Sequence, residues 1–432
     1  MSYSQRVSAL LSASGAKEGD TVKAMSAGIE RAGVLMPHHE FSHPDVIVLK
    51  LKNGYNIGIR LEEGASVELV SRSERKARPA VPSRGAICKK TLALIGTGGT
   101  IASYVDYRTG AVHPALSAEE LVATVPEILE MCQVEAKVLF SIFSENMKVE
   151  HWKGIAEAAA DSLNSGKSGC IIPHGTDTMG YTSAALSFML DSLPGPVVLV
   201  GSQRSSDRPS SDAYTNLLAT VRFCLEADAA EVFVLMHEGI SDTTALVHRG
   251  TRVRKMHTSR RDAFESINSR PVARVDFEKG VEMLCPCVPR GNGRATLRTE
   301  MEENVALVHY YPGMSTRTFE GFAKGSRGIV IAGTGLGHIS SDLIKEVRKA
   351  IRGGTSVVMC SQCISGRVNL NVYNTGRDLL SAGVISGEDM LPETAFVKLM
   401  WALANTSSEE GLRRVMSISL KGELSDRREI DY

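Results

Sequence analysis

Hydrophobic residues beyond position 88 fall into short, continuous apolar runs separated by longer amphipathic stretches. The runs lie at 91–96, 134–140, 169–173, 196–201 and 231–236. Continuous apolar runs are typical of parallel strands that are covered on both faces. The stretches between them, near 117–130, 149–164, 180–192 and 212–227, have helical spacing, and Ser117 with Glu120 forms a capping-box pattern in the first. The alternation predicts a doubly wound parallel α/β sheet whose functional loops lie at the carboxyl ends of its strands.

The alternation weakens near 240–303 and then resumes. New apolar runs lie at 305–311, 328–333 and 355–360, and a long helical pattern extends from Pro392 to Ala404. We therefore predict a two-lobed body, with a large α/β domain over 88–300 that carries the active site and a smaller C-terminal α/β domain over 301–432.

The residues ahead of this body have a strand pattern of their own. Five short runs at 21–25, 33–36, 46–51, 56–61 and 67–70 are separated by turn residues, and Lys52-Asn53-Gly54-Tyr55 is a hairpin signal. The spacing predicts a small, partly closed SH3-like β-barrel over 1–75. The basic stretch at 76–87 has no periodicity and is interpreted as a linker. A solvated tether is favoured there, and a contact with RNA phosphates or an acidic partner is the alternative.

The charge balance narrows the class of protein. Lys and Arg number 49, Asp and Glu number 49, and the chain is 43% hydrophobic and 23% charged. A net charge of zero is not typical of a dedicated nucleic-acid binder, and this composition excludes a disordered chain. No apolar run approaches the ~18 residues of a membrane span, and the apolar core at 9–11 is too short for a signal peptide. We therefore expect a cytoplasmic protein without membrane contact.

Cysteines and glycine-rich turns give only weak signals for metals and cofactors. A zinc site built from Cys285, Cys287, Cys360 and Cys363 is the less favoured alternative to buried, reduced cysteine, because only the second pair has CxxC spacing. The turns at 96–100 and 333–337 resemble nucleotide-binding loops weakly, since position 101 is Ile where the dinucleotide fingerprint needs Gly. We predict no metal and no cofactor in this chain.

Polar residues follow three of the predicted strands at one edge of the sheet. Thr100 lies on the glycine-rich turn after the first strand, Ser144 and Glu145 follow the second, and Thr176 and Asp177 follow the third. Hydroxyl and carboxylate groups there suit an amino-acid ligand and acyl chemistry. Taken alone, the Thr–Asp pair is better explained as the N-cap of the next helix, and the Ser–Glu pair is equally well explained as an ordinary loop.

A basic run from Arg249 to His257 follows the fifth strand. On its own it is best explained as a solvated basic face. The alternative is catalytic, because like charges from Arg252, Arg254 and His257 would make Lys255 release its proton more readily and allow it to take a proton from a threonine.

Four of these features together resemble the L-asparaginase superfamily. They are TGGTIAS at 97–103, SENM at 144–147, HGTDTM at 174–179, and Lys255. Shorter matching motifs at 201–204, 211–212, 311–313, 333–335 and 366–368 extend the resemblance over residues 88–432. The resemblance implies an asparaginase-like fold and a homodimer in which each active site lies near the second lobe of its neighbour.

The resemblance also implies roles for individual residues. Thr100 matches the family's nucleophile, and a second catalytic group corresponds to Thr176, Asp177 and Lys255. The substrate-binding residues correspond to Ser144, Glu145, Thr97 and Gly99. The family usually has glutamine at the position of Glu145, which bears on the contact with the substrate α-amino group. Its mobile tyrosine corresponds to Tyr104 or Tyr107, and the sequence does not decide between these two or say which threonine attacks first.

A β-barrel that contains LKNGYNIGIRL ahead of an asparaginase-like body is similar to the D-subunit family of archaeal glutamyl-tRNA(Gln) amidotransferases. This resemblance implies hydrolysis of L-glutamine to glutamate and ammonia. The E subunit of such an amidotransferase would use the ammonia, with ATP and Mg, to amidate glutamate on tRNA(Gln), and would hold most of the tRNA in a heterotetramer. The alternative is a free-standing asparaginase or glutaminase with an accessory N-terminal domain.

Overall fold

The structure is a computed structural model that describes most of the chain. It covers residues 3–36, 38, 43–49, 51, 57–72, 90–98, 125, 127–204, 211–239 and 242–427, and the backbone alone at 50, 56, 103–105 and 112–114. The predicted Lys52–Tyr55 turn, the 76–87 linker and the Ser117–Glu120 capping box lie outside these residues.

The N-terminal residues form a helix and one antiparallel sheet. Helix α1 is Gln5–Ser14, and the strands are β1 Thr21–Ser26, β2 Ile29–Leu35, β3 Val46–Lys50, β4 Asn56–Arg60 and β5 Ser66–Ser71, in the order β4-β3-β2-β1-β5. Every predicted strand is confirmed. Helix α1 was not predicted, although the Ser4 side chain caps it by accepting a hydrogen bond from Val7 N and Val7 is fully buried against the sheet.

The central sheet has eight strands. They are β6 Thr91–Gly98, β9 Gln133–Ile142, β10 Cys170–Pro173, β12 Val197–Val200, β13 Val232–His237, β14 Thr244–Arg249, β17 Ala273–Asp276 and β18 Gly280–Met283, in the order β18-β17-β14-β13-β12-β10-β6-β9. The five adjacent strands β13, β12, β10, β6 and β9 are parallel, as predicted. Strands β10, β12 and β13 are buried at every position.

The stretch at 240–303 is more regular than its sequence suggested. Strands β14, β17 and β18 extend the sheet with antiparallel pairing, so the sheet is mixed rather than wholly parallel. Strand β17 alternates strictly between buried and partly exposed positions, β14 does so over its first four residues, and β18 is buried only at Gly280. Such patterns with polar residues hid the three strands among the loops.

Helices cover the central sheet, and short ribbons lie around it. The helices are α2 Glu127–Met131, α3 Val149–Asn164, α4 Met179–Met189 and α5 Ala213–Glu226. The ribbons are β7 Ser103–Val105 with β8 Val112–Pro114, β11 Leu190–Asp191 with β19 Thr296–Leu297, and β15 Val253–Lys255 with β16 Phe264–Ser266. The predicted helix at 149–164 is confirmed with the same bounds.

The C-terminal lobe is a four-stranded parallel sheet with five helices among the described residues. Its strands are β20 Val305–His309, β21 Gly328–Gly333, β22 Ser356–Ser361 and β23 Ile385–Ser386, in that order, and its helices are α6 Thr316–Ala323, α7 Ser341–Arg352, α8 Asn374–Ala382, α9 Pro392–Asn405 and α10 Glu409–Ser417. One buried apolar cluster joins the lobes and contains Leu186 of α4, Val330 of β21 and Leu399 of α9. In the part of the chain that the structure describes, no helix is long and apolar enough to span a bilayer.

Candidate active site

Two glycines bring the strand ends of the central sheet into close contact. Gly98, with φ +100°, ends β6, and a Cβ there would lie 2.6 Å from the Ile142 carbonyl oxygen of β9. Gly175, after β10, is so close to Ser144 that a Cβ would lie 2.6 Å from the Ser144 Cβ. Because only glycine permits these approaches, the ends of β6 and β9 lie close together, and the loop after β10 contacts the loop after β9 at the same edge of the sheet.

Three of the predicted catalytic residues lie together at this edge. The Lys255 ammonium donates to Thr176 Oγ1 at 2.8 Å and to Asp177 Oδ1 at 2.8 Å. Thr176 is buried, and the side chain of Lys255 is 14% exposed, whereas that of Asp177 is 70% exposed. Residues 79 positions apart in sequence thus form a continuous hydrogen-bonded group, which we call the Thr176–Lys255–Asp177 relay.

The prediction that Thr176 and Asp177 cap the next helix is wrong. The N-cap of α4 is Thr178, and it makes no side-chain capping bond. The Thr178 hydroxyl donates instead to the Ser144 carbonyl at 2.8 Å, which ties the loop after β10 to the loop after β9. The hydroxyl of Thr176 and the carboxylate of Asp177 are therefore committed to Lys255 and not to the helix.

Both interpretations of the basic run at 249–257 need correction. Arg252 is 1% exposed and contacts Asp389 at 3.0 Å, and Arg254 contacts Glu393 at 3.1 Å, so the run is not a solvated basic face. Acids from the C-terminal lobe pair with both of the arginines that were expected to act on Lys255. Lys255 itself pairs with the carboxylate of Asp177 at 2.8 Å.

Three of the four predicted substrate-binding residues are described, and they lie near the ends of β6 and β9. Ser144 is buried and begins a single 3₁₀ turn, Ser144–Asn146, on which Glu145 is exposed. The Thr97 hydroxyl is buried and donates to the Pro173 carbonyl at 2.7 Å, so it joins β6 to β10 and can only accept a hydrogen bond from a ligand. Gly99, Thr100, Tyr107 and the side chain of Tyr104 lie outside the described residues.

Buried polar groups that the sequence pattern did not reveal support the loops of this edge. His174 is fully buried, its ring Nδ1 lies 2.7 Å from the Gly175 carbonyl, and burial lowers its pKa to about 4. Asp212 is also buried and accepts from the backbone N–H groups of Gln203 and Arg204, which holds the turn after β12. Burial raises the pKa of the Asp212 carboxyl, although these hydrogen bonds act in the opposite direction. A neutral His174 supports the loop that carries Thr176 without adding charge to the relay.

The cysteines of the possible zinc site agree only in part with the prediction of buried cysteine. Cys360 is fully buried, but Cys363 is exposed and Cys285 and Cys287 are partly exposed, so the prediction is wrong for Cys363. The described residues contain no group of three His, Cys, Asp or Glu side chains arranged to hold a metal ion. In the 333–337 turn, a Cβ at Gly337 would lie 2.8 Å from Val368 Cγ1, so this glycine is required by close contact within the lobe.

Comparisons with known proteins agree with this geometry. Residues 91–285 match the model of the Asparaginase, N-terminal family, residues 304–416 that of the Glutaminase/Asparaginase C-terminal domain, and residues 16–70 that of the GatD N-terminal domain. The chain is 51% identical to the D subunit of the glutamyl-tRNA(Gln) amidotransferase of Pyrococcus furiosus over 97% of this chain and 98% of the relative. It is 46% identical to the corresponding subunit of Thermofilum pendens over 100% of this chain and 98% of the relative.

Solved structures with a similar fold are L-asparaginases. The thermostable L-asparaginase from Thermococcus kodakarensis has a TM-score of 0.71 and 34% identity, covering 78% of this chain and 100% of that chain. L-asparaginase I from Vibrio cholerae has a TM-score of 0.69 and 29% identity over the same shares. The curated relatives match almost the whole chain, whereas the solved asparaginases match 78% of it.

Proposed function

The chain belongs to the D-subunit family of glutamyl-tRNA(Gln) amidotransferases, and from this membership we propose that it is the glutaminase of a tRNA-dependent amidotransferase. It hydrolyses L-glutamine to glutamate and ammonia, and a partner subunit uses the ammonia to convert Glu-tRNA(Gln) to Gln-tRNA(Gln). The observation that supports this most directly is the Thr176–Lys255–Asp177 relay at the carboxyl edge of an asparaginase-like sheet.

The proposed reaction is acyl transfer in two steps. The Thr100 oxygen attacks the side-chain amide carbon of glutamine as its hydroxyl proton passes to Thr176, and Thr176 gives its own proton to the amide nitrogen, so that the C–N bond breaks and ammonia leaves. Water then attacks the acyl-enzyme ester, the ester bond breaks to release glutamate, and one proton of the water passes to the Thr100 oxygen. Donors near Thr97 and Gly99 stabilise the oxyanion, and Ser144 and Glu145 bind the α-carboxylate and α-ammonium end of the substrate.

The direction of the hydrogen bonds assigns a role to the relay. Lys255 donates to Thr176 Oγ1, so the proton of the Thr176 hydroxyl is free to point toward the substrate. An ammonium has three donors and no lone pair, and Lys255 in this form cannot take a proton from Thr176. We therefore propose that Thr176 donates a proton to the leaving nitrogen, and the resemblance of Thr100 to the family's nucleophile supports Thr100 as the residue that attacks first.

The proposal assigns the remaining chemistry to the E subunit, which we call the amidating partner. The amidating partner holds ATP and Mg and most of tRNA(Gln), and this chain, as a homodimer in a cytoplasmic heterotetramer, holds neither metal nor cofactor. A net charge of zero supports this division, because counterion release from many phosphate contacts requires a surplus of Lys and Arg.

The decisive experiment measures ammonia release from glutamine and from asparagine. The full chain is assayed alone, with the amidating partner, and with the amidating partner plus Glu-tRNA(Gln), with uncharged tRNA(Gln) as the matched control. We expect weak basal activity and a 5–150-fold rise only in the complete mixture, which corresponds to about 1–3 kcal/mol of coupling.

A specific alternative is a free-standing asparaginase, which the 34% identity to a solved L-asparaginase favours. It predicts fast asparagine hydrolysis by the isolated chain, unaffected by the amidating partner or tRNA. That result would overturn the amidotransferase proposal. A strong preference for glutamine in the complete mixture would overturn the alternative.

A further inference from the structure

Lys255 lies on an element that is small and separate from the central sheet. It ends β15, which pairs only with β16 among the described strands, and the pairing continues to Met256 N and Ala263 O at 2.6 Å. A two-stranded ribbon is at best marginally stable on its own. The position of the Lys255 ammonium therefore depends on what holds the base of the ribbon.

Apolar packing fixes one side of that base. Val253 is 1% exposed and Phe264 is 3% exposed, and both belong to the cluster that joins the two lobes. This packing keeps the ribbon on the protein, but it has no directional preference that would aim the Lys255 side chain at one particular neighbour. The directional contacts lie on the polar side.

The buried guanidinium of Arg252 makes four of those directional contacts, and all of its partners belong to the C-terminal lobe or the segment after it. Its Nη1 donates to the Asp389 carboxylate at 3.0 Å and to the Asp389 carbonyl at 3.2 Å. Its Nε donates to the Gly422 carbonyl at 2.8 Å, and its Nη2 donates to Ser425 Oγ at 2.8 Å. Because the guanidinium is planar and its donors bond to acceptors on three different residues, these contacts fix both its position and its orientation.

Two of these partners belong to a segment that we call the clasp, residues 418–427, which follows α10 and returns to the large lobe. Within it, the carboxylate of Glu423 is fully buried, contacts the Lys398 ammonium of α9 at 2.5 Å and accepts from the backbone N–H of Lys421 at 2.7 Å. The Lys421 carbonyl accepts from the Thr251 hydroxyl at 2.9 Å, next to Arg252. The clasp is thus anchored in the C-terminal lobe through Glu423 and attached to the base of the ribbon through the residues on either side of it.

We propose that Arg252 is a positioning residue for catalysis, and that the clasp holds it so that Lys255 meets Thr176 and Asp177. This inference rests on the proposed function, since it gives Lys255 its catalytic task through the relay. Arg252 does not contact Thr176 or Asp177 in the structure. It acts through the backbone of the ribbon, three residues before Lys255.

The test uses graded variants of the full chain. Arg252→Lys keeps the charge opposite Asp389 but loses the fork, and Ser425→Ala removes one acceptor, whereas Ser425→Thr retains it. Thr355→Val is the matched control, because it removes a buried hydroxyl that donates to the Ser326 carbonyl at 3.0 Å in the same lobe, away from Arg252.

Two readouts separate positioning from simple destabilisation. The kcat for glutamine should fall about tenfold in Arg252→Lys with KM unchanged, since the lost interaction acts on the relay and not on substrate binding. The kcat of Ser425→Ala should fall severalfold, and Ser425→Thr should regain wild-type kcat. Independently, amine-reactive labelling with peptide mass mapping should modify Lys255 severalfold faster in Arg252→Lys and Ser425→Ala, but not in Ser425→Thr or Thr355→Val.

The labelling readout also distinguishes this inference from the proposed function. A wild-type chain that hydrolysed no glutamine in the complete mixture would overturn the proposed function, and the labelling ratio would still decide whether Arg252 positions Lys255. Unchanged kcat and unchanged labelling in Arg252→Lys would overturn the inference alone. A loss shared equally by Thr355→Val would show that Arg252 contributes only stability.

Discussion

Thr176 and Lys255 should behave in mutagenesis as one unit. Thr176→Val keeps the shape of a side chain whose Cγ2 packs against Gly201, and removes only the oxygen that lies 2.8 Å from the Lys255 ammonium. Lys255→Met removes the ammonium and keeps most of the length of the side chain. Because a positioned proton donor contributes about 10²–10⁴-fold to a rate, each variant should lose that much kcat for glutamine.

The double variant tests whether Thr176 and Lys255 act as one unit. If the Thr176 hydroxyl works only when Lys255 orients it, Thr176→Val with Lys255→Met should lose no more than the worse single variant. Independent action would instead multiply the two losses to about 10⁴–10⁸-fold. Ammonia release is measured with the amidating partner and Glu-tRNA(Gln) present, and Thr176→Ser, which retains the hydroxyl, is the control. Multiplied losses, or an inactive Thr176→Ser that melts normally, would refute the relay.

Three further predictions concern stability and binding. Glu423→Ala should lower the free energy of unfolding by about 3–5 kcal/mol in urea titrations, because it leaves the Lys398 ammonium buried without its partner; an unchanged midpoint would contradict this. Burial lowers the pKa of His174 and of His248 to about 4. Below pH ~6.5 the unfolded chain therefore binds protons at these histidines that the folded chain does not bind. Stability should therefore fall as the pH drops from ~6.5 to 4, by up to about 3 kcal/mol for each histidine, and His248→Gln should show a shallower fall. Glu145→Gln should raise KM for glutamine about tenfold with little change in kcat, because a carboxylate pairs with the α-ammonium group more strongly than an amide does; an unchanged KM would show that this loop does not face the ligand.

The sequence was most informative where one physical pattern dominated. Continuous apolar runs identified β10, β12 and β13, and amphipathic spacing identified α3 with its bounds at 149 and 164. The strands β14, β17 and β18 escaped because their alternating polar positions are typical of loops as well as of half-buried strands. Helix α1 was not predicted because a helix of 10 residues has little sequence signal beyond its capping residue.

The candidate site could be predicted only in part, because its electrostatics depend on distant residues. Spacing and resemblance brought Thr176, Asp177 and Lys255 together correctly. They did not show that the partners of the neighbouring arginines would be Asp389, 137 positions beyond Arg252, and Glu393, on the C-terminal lobe. A basic run has the same sequence pattern whether its side chains are solvated on the surface or paired with buried carboxylates.

The members of the relay differ in their exposure to solvent. Thr176 is buried and the side chain of Lys255 is only 14% exposed, whereas the side chain of Asp177 is 70% exposed. An exposed carboxylate gains little from its pairing in water, but it gains more when a covering surface excludes that water. A loop, a substrate or a partner that covers Asp177 would therefore strengthen its hold on the Lys255 ammonium and sharpen the placement of Thr176. The fold thus encloses Thr176 and most of Lys255, and it leaves the carboxylate of Asp177 open to whatever binds over it.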